Sequence, residues 1–262
     1  MFCIFATLLL ALLLGWLGRD RYALGAIAAT FVLAIWLFLF EIYSPEYGFR
    51  MPWISTQAPL HRPACEAIGM SSTATSDPLV TLNHVFLLLM LAVIAGILSA
   101  AMTMQFVYGE LPCPLCLLER VALFGVAFGI MLNFRHGFTY RNTGISLLFA
   151  IFLLVVSTRQ TLLDIYPRPG HAYIGSAVFG LHMPVWSILI ALAILTGYAL
   201  KLIALGNDDH VAKSEITSRP LLSQVANILS VYVVALCAIN FAAVFLQCGL
   251  SECHTDAYAL LK

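Results

Sequence analysis

The sequence predicts an all-α integral membrane protein, from its hydrophobic share, its scarcity of charge and the length of its apolar runs. Of the 262 residues, 61% are hydrophobic and only 10% are charged, and the mean hydropathy is +0.95. A soluble domain carries about 25% charged residues, so this chain has too little polar surface to cover itself in water. The formal net charge is zero, which gives no support to nucleic-acid binding.

The apolar runs give the predicted helices. About 20 apolar residues cross the hydrocarbon core of a bilayer as a helix. We expect about seven transmembrane helices, over residues 2–17, 22–42, 84–107, 117–134, 143–165, 184–204 and 221–246. The first run is short, so it could instead lie at the membrane interface.

Basic residues in the short loops predict the orientation of the chain. The loops 135–142 and 201–220 contain lysine and arginine, and such loops face the cytoplasm. The segments 108–116, 167–183 and 247–262 then face outward. Both close pairs of cysteines in the chain fall in these outward segments, although the charge argument did not use them.

The N-terminal third fits this scheme less well. Counting helices backwards puts the polar loop 43–83 in the cytoplasm and "GRDR" (18–21) outside, where its arginines are unfavourable. The orientation and role of residues 1–83, including Cys65, therefore stay open.

The first cysteine pair lies in "GELPCPLCLLER" (109–120). Pro112 and Pro114 flank Cys113 and predict an irregular loop there, because proline lacks an N–H and has a fixed φ. The fourth helix is expected to begin near Cys116. Its positive N-terminal end favours the thiolate of Cys116, which indicates redox chemistry. A structural disulfide and half of a zinc site remain alternatives.

Arg120 follows one helical turn after Cys116. An arginine at membrane depth is expensive and usually functional. It would suit a quinone head group, a flat apolar ring with carbonyl acceptors that a neighbouring thiolate can reduce. The alternative is an arginine that anchors a helix end by extending its charge to the interface.

The second pair, Cys248 and Cys253, lies in the C-terminal "QCGLSECHTDAYALLK" (247–262). A flexible dithiol there could exchange with a soluble partner and then with Cys113, because exchange needs only access of a thiolate to a disulfide sulfur. The alternatives are a static disulfide at the end of the last helix and a metal site that includes His254.

Three segments in order resemble the DsbB-type quinone-dependent disulfide-bond formation proteins of bacterial inner membranes. They are "PCPLCLLERVALFG" (112–125), "LLDIYP" (162–167) and "FGLHMPVWS" (179–187). The resemblance covers roughly residues 84–205 and implies a four-helix bundle core made of helices 3 to 6. Three parts follow: a two-helix extension with a polar loop (1–83), the DsbB-like bundle (84–205), and an extra helix with an outward dithiol tail (206–262).

The resemblance also implies roles for individual residues. Cys113 would exchange with the second pair, Cys116 would face the quinone, and Arg120 would help to bind it. Glu119 matches the acidic residue of the family motif, and no metal is implied.

The chain departs from the family in two places. The family's second cysteine pair lies in the loop that corresponds to 168–183, which has no cysteine here, so the tail pair is expected to replace it. The family also has a histidine near the end of its third core helix. Gln160 takes that place here, beside Arg159, which could compensate for the missing histidine or anchor the helix end.

The predicted function is that of a membrane thiol:quinone oxidoreductase in the bacterial inner membrane, with its active cysteines on the periplasmic side. It would reoxidise a periplasmic thioredoxin-like, DsbA-like dithiol oxidase and pass the electrons to ubiquinone or menaquinone. The alternatives are a quinone reductase like the vitamin-K-epoxide reductases, a metal-binding membrane protein using the same cysteines, and a structural membrane protein with two inert disulfides.

Overall fold

The computed structural model describes residues 1–42, 77–165, 180–205 and 220–249. These ranges contain seven helices: α1 Phe2–Trp16, α2 Asp20–Ile42, α3 Asp77–Val107, α4 Pro114–His136, α5 Tyr140–Ile165, α6 Met183–Leu205 and α7 Pro220–Cys248. Every helix from α2 to α7 is long and apolar enough to cross a membrane, and α1 is shorter. The predicted fold class is confirmed: the chain is an all-α, multi-pass membrane protein.

Helix α4 lies at the centre of the assembly. All its residues from Leu117 to Phe134 are buried, and α1, α2, α3, α5 and α7 pack directly on it. Helix α6 packs on α5 and reaches α3. Helices α1, α2 and α7 lie outside the predicted four-helix core, but they pack on the same central helix as the core helices α3 and α5. Because α4 is shielded from lipid, it can contain Glu119 and Arg120 at a lower cost than a lipid-facing helix could.

Small residues let α4 and α5 approach each other closely. A Cβ added to Gly129 would lie 2.7 Å from the backbone oxygen of Asn142 and 2.9 Å from the backbone nitrogen of Ser146. Ser146 also donates from its hydroxyl to the backbone oxygen of Val126, at 3.0 Å. At Gly125, the ring of Phe149 occupies the space that a Cβ would need. Glycine is required at both α4 positions, as is typical of close contacts between membrane helices.

The turn between α1 and α2 lies at the same end of the assembly as the turn between α4 and α5. Asp20 contacts His136 with an oxygen–nitrogen distance of 2.8 Å. A Cβ on Gly18 would lie 3.1 Å from the Arg135 guanidinium, and this glycine has a φ of +79°. The sequence left the orientation of "GRDR" (18–21) open, and the structure places it at the same end as the loop 135–142.

The physical reason is that α2 and α3 run in the same direction. Phe31 of α2 packs on Phe149 of α5, and Phe38 packs on Phe152, further along α5. The start of α2 also lies beside the turn before α5, so α2 runs parallel to α5. His84, near the start of α3, packs on Phe138 in the turn between α4 and α5, with ring centroids 4.9 Å apart. Counting back from the later loops assumed that α2 and α3 alternate. Their connection, 43–76, lies outside the described residues.

Candidate functional site

The first cysteine pair forms a disulfide at the N-terminus of the central helix. Cys113 is the N-cap of α4, and its sulfur accepts the backbone N–H of Cys116 at 3.1 Å. Pro114 begins the helix, a position where its missing N–H costs nothing. The two cysteines are bonded, with 5.1 Å between their Cα atoms. The sequence thus correctly indicated a helix start at this motif.

Gln160 of α5 contacts both sulfurs of this disulfide. Its side-chain nitrogen, Nε2, donates to Cys113 Sγ at 3.4 Å and to Cys116 Sγ at 3.3 Å. The side chain is 6% exposed, and its Oε1 is buried with no hydrogen-bond partner among the described residues. The resemblance implied that Gln160 takes a place at the quinone site. In the structure it contacts both sulfurs of the disulfide.

Arg120 is buried between α4, α3 and α7. Its Nη1 donates to the side-chain oxygen of Gln105 at 2.6 Å and to that of Asn240 at 3.1 Å. Its Nη2 donates to the backbone oxygen of Ala101 at 3.1 Å, and the sulfur of Met102 lies 3.5 Å from Nη1. The guanidinium thus points into the assembly, towards neutral oxygens that a carbonyl ligand could replace.

Glu119 is directed to a different neighbour. Its Oε2 accepts a hydrogen bond from the Ser187 hydroxyl of α6 at 2.8 Å. Its Oε1 is buried without a hydrogen-bond partner in the described part of the chain. The adjacent acid and base of the motif therefore connect α4 to α6 on one side, and to α3 and α7 on the other.

The end of α7 lies against the loop before the dithiol. Gln247 donates from Nε2 to the backbone oxygen of Pro112 at 3.0 Å. Cys248 is the next residue, is 1% exposed and is disulfide-bonded. Its bonding partner lies outside the described residues, as does Cys253, so the predicted pairing of these two cysteines stays a prediction.

Sequence reasoning missed the two α7 amides, Asn240 and Gln247. The signal was present, because both interrupt a long apolar run and they are seven residues apart, which places them on one helical face. A polar face on a membrane-spanning helix points to a neighbouring helix or a functional site.

The remaining candidate residues are less closely connected with the dithiol. Arg159 is half-buried next to Gln160, and its role at the site stays a prediction. Cys3 is an exposed free thiol and Cys237 a buried one. Among the described residues there is no cluster of three histidine, cysteine or acidic side chains that could hold a metal. The alternative metal ligands Cys253 and His254 lie outside those residues.

The fold and the site define a class: a multi-pass helical membrane protein with a disulfide at the N-terminal end of its central helix. Residues 83–172 match the family model of the disulfide bond formation protein DsbB. This match confirms the resemblance over the region that contains Cys113, Cys116 and Gln160.

Curated relatives match the same family. The disulfide bond formation protein B of Nitrosomonas eutropha is 32% identical over 88 residues, which are 32% of this chain and 54% of the relative. That of Aromatoleum aromaticum is 34% identical over 80 residues, which are 29% and 48%. The matched region thus spans about half the length of these relatives. No solved structure matches the chain.

Proposed function

We propose that this protein is a membrane thiol:quinone oxidoreductase that supplies disulfide bonds to a soluble partner. The partner is a periplasmic thioredoxin-like dithiol oxidase of the DsbA type, which the protein reoxidises. The observation that carries the proposal is the Cys113–Cys116 disulfide at the start of α4, with the guanidinium of Arg120 buried one turn further along. The matched family, whose relatives are named for disulfide bond formation, supports the same reaction.

The sulfur relay runs from the tail to the central helix. The reduced partner attacks the tail disulfide, for which we propose the pairing of Cys248 with Cys253. A tail thiolate then attacks Cys113 and leaves the electron pair on Cys116. The hydrogen bond between Gln247 and Pro112 supports this order, because it joins the residues directly before Cys248 and Cys113.

The residues around Arg120 fit the head group of a quinone. A quinone offers carbonyl oxygens, and Arg120 already donates to the uncharged oxygens of Gln105 and Asn240. If a ligand carbonyl replaces the Gln105 oxygen while Asn240 continues to hold the guanidinium, no additional charge is buried. When bound, ubiquinone or menaquinone would accept two electrons from the dithiol. We place Cys116 next to the quinone.

Three further side chains complete the proposed quinone site: Glu119, Arg159 and Gln160. Glu119 is buried on the α6 side of α4, and Gln160 contacts the sulfurs. Arg159 precedes Gln160 on α5 and would add a second positive charge near the dithiol.

The proposed location is the bacterial inner membrane, with the dithiol on the periplasmic side. The loop 135–142 is basic, and the α1–α2 turn, with Arg19, lies at the same end of the assembly. Basic loops favour the cytoplasm, and the dithiol lies at the opposite end of α4. Disulfides made there would persist, because the periplasm is oxidising.

A quinone-reduction assay with a reduced thioredoxin-like donor tests the proposal. Cys116→Ser should abolish turnover with any donor. Cys253→Ser should abolish turnover with the protein donor but retain it with dithiothreitol, which can reduce Cys113–Cys116 directly. Cys3→Ser is the control, because Cys3 is an exposed free thiol that takes part in no disulfide. Full activity of both Cys116→Ser and Cys253→Ser would refute the relay.

A further inference from the structure

Gln160 makes a contact that the relay described above does not use. One amide nitrogen is within hydrogen-bond distance of both sulfurs, at 3.4 and 3.3 Å. The side chains of Gln160 and Cys113 are buried, and Cys116 is half-buried, so water can solvate charge on the sulfurs only in part. A thiolate formed in such surroundings is stabilised by a donor from the protein.

We propose that Gln160 is a catalytic residue of the exchange step, donating its amide N–H to the thiolate that Cys116 becomes when Cys113 is attacked. The inference rests on the proposed function for the identity of the attacking thiolate. In this step the attacking sulfur forms a bond to Cys113, and the Cys113–Cys116 bond breaks. The electron pair of the broken bond stays on Cys116, and no proton is transferred.

The geometry assigns this role to Gln160 because the two sulfurs accept hydrogen bonds from different sets of donors. Cys113 Sγ also accepts the backbone N–H of Cys116, at 3.1 Å. The hydrogen bond that the structure shows to Cys116 Sγ comes from Gln160. Hydrogen bonds to charged groups are roughly twice as strong as neutral ones. The contact should therefore strengthen as charge develops on Cys116.

An uncharged amide has two advantages as the donor here. It places no additional charge in the membrane-spanning part of the protein, where a charge would be costly. It also neither gains nor loses a proton near neutral pH, so it remains a donor throughout the range in which an imidazole would titrate. Its contribution to the exchange rate should thus be constant with pH.

Two substitutions at one position test the inference. In a background with serine at both Cys248 and Cys253, dithiothreitol reduces the Cys113–Cys116 disulfide in a single turnover, and alkylation of Cys116 reports the rate. Gln160→Leu keeps the volume but removes the donor, and should slow this reduction about tenfold or more. Gln160→Asn retains an amide on a shorter side chain, and should give an intermediate rate.

The control is Thr161→Val, on the next residue of α5. Thr161 donates to the backbone of its own helix, to the oxygen of Ser157 at 2.9 Å. Its replacement should change the rate by less than about twofold, because an intrahelical hydroxyl bond contributes little to helix stability.

The reduction potential of the dithiol separates a catalytic role from a structural one. Loss of a donor to the thiolate destabilises the reduced form, so the potential of Gln160→Leu should become more negative. An unchanged rate and potential in a folded Gln160→Leu protein would overturn the inference. Should that variant fail to fold, wild-type rate and potential in Gln160→Asn would overturn it equally.

Failure of the proposed function would have a different signature. If the wild-type protein does not reduce quinone but Gln160→Leu still slows the dithiothreitol reaction, the quinone step is refuted. The role of Gln160 in the exchange then stands. Conversely, if the wild-type protein reduces quinone and Gln160→Leu exchanges at the wild-type rate, only the proposed role of Gln160 is refuted.

Discussion

Helices α5 and α7 both pack on the central helix, but they do so by different means. Helix α5 contacts α4 through small residues that bring the backbones together, as at Gly129. Helix α7 contacts α4 and its preceding loop through amide side chains, at Asn240 and Gln247. The first kind of contact establishes the fold. The second kind is concentrated at the proposed site, whereas the rest of α7 packs on α1 and α3.

The match to the DsbB family also separates α5 from α7. Helix α5 lies within the matched region 83–172 and α7 lies outside it. Nevertheless, α7 supplies an acceptor for Arg120 and a donor to the loop before Cys113. A helix outside the matched region thus contacts residues of the proposed site, and it also places Cys248 at the end of the molecule where the first cysteine pair lies.

The largest effect should come from Gly129→Leu, which tests the fold side of this comparison. A side chain there would collide with the backbone of α5, and backbone cannot move aside as a flexible side chain can. Overpacking of a core typically costs about 1–3 kcal/mol and occasionally more, so we expect about 3 kcal/mol or more here. Thermal unfolding in detergent would measure the loss.

Gly144→Leu is the matched control for this substitution. Gly144 lies on α5 with nothing within 4 Å of an added Cβ, so leucine there should leave the unfolding temperature nearly unchanged. Equal stability of the two variants would show that α4 and α5 are not packed as closely as the structure indicates.

Much of the fold could be predicted from sequence, because the bilayer imposes simple rules on length and hydropathy. The helix start at Cys113–Cys116 followed from the two prolines, and the structure confirms it. The orientation of α1 and α2 did not follow. Counting from later loops assumes that successive helices alternate, whereas α2 and α3 are parallel. The arginines of "GRDR" (18–21) had favoured the same side as the basic loop 135–142, and the structure places the two turns at one end.

The site could be predicted only in part. The motif brought Cys113, Cys116 and Arg120 together on one short segment, where spacing alone determines proximity. The contacts of Gln160 and Asn240 depend on how neighbouring helices are rotated and how deep each lies. Hydropathy specifies neither quantity, so these interhelical contacts were accessible only from the structure.

A smaller effect is expected for Asn240→Leu, which tests the functional side. The substitution removes an acceptor from a buried guanidinium, and hydrogen bonds to charged groups contribute about 1.5–3 kcal/mol. Arg120 should then change its orientation, and the KM for quinone should rise about tenfold or more while the protein remains folded. Steady-state quinone reduction at varied quinone concentrations would measure this.

Asn227→Leu provides the comparison for Asn240→Leu on the same helix. Asn227 is exposed and accepts a long hydrogen bond of 3.4 Å from Trp16, so its replacement should leave the KM unchanged. A normal KM in Asn240→Leu as well would mean that α7 does not organise the quinone site.

The smallest effect should follow from Gln247→Leu, which separates positioning of the tail from chemistry at the dithiol. The hydrogen bond to Pro112 is neutral, and such a bond contributes about 1 kcal/mol, or about fivefold in rate. Turnover with the protein donor should fall by that factor, while turnover with dithiothreitol should not change, because dithiothreitol bypasses the tail. The control is Gln224→Leu, at an exposed position on the same helix. An equal loss with both donors would show that Gln247 supports the Cys113–Cys116 loop itself, and that bringing Cys248 to Cys113 is not its main contribution.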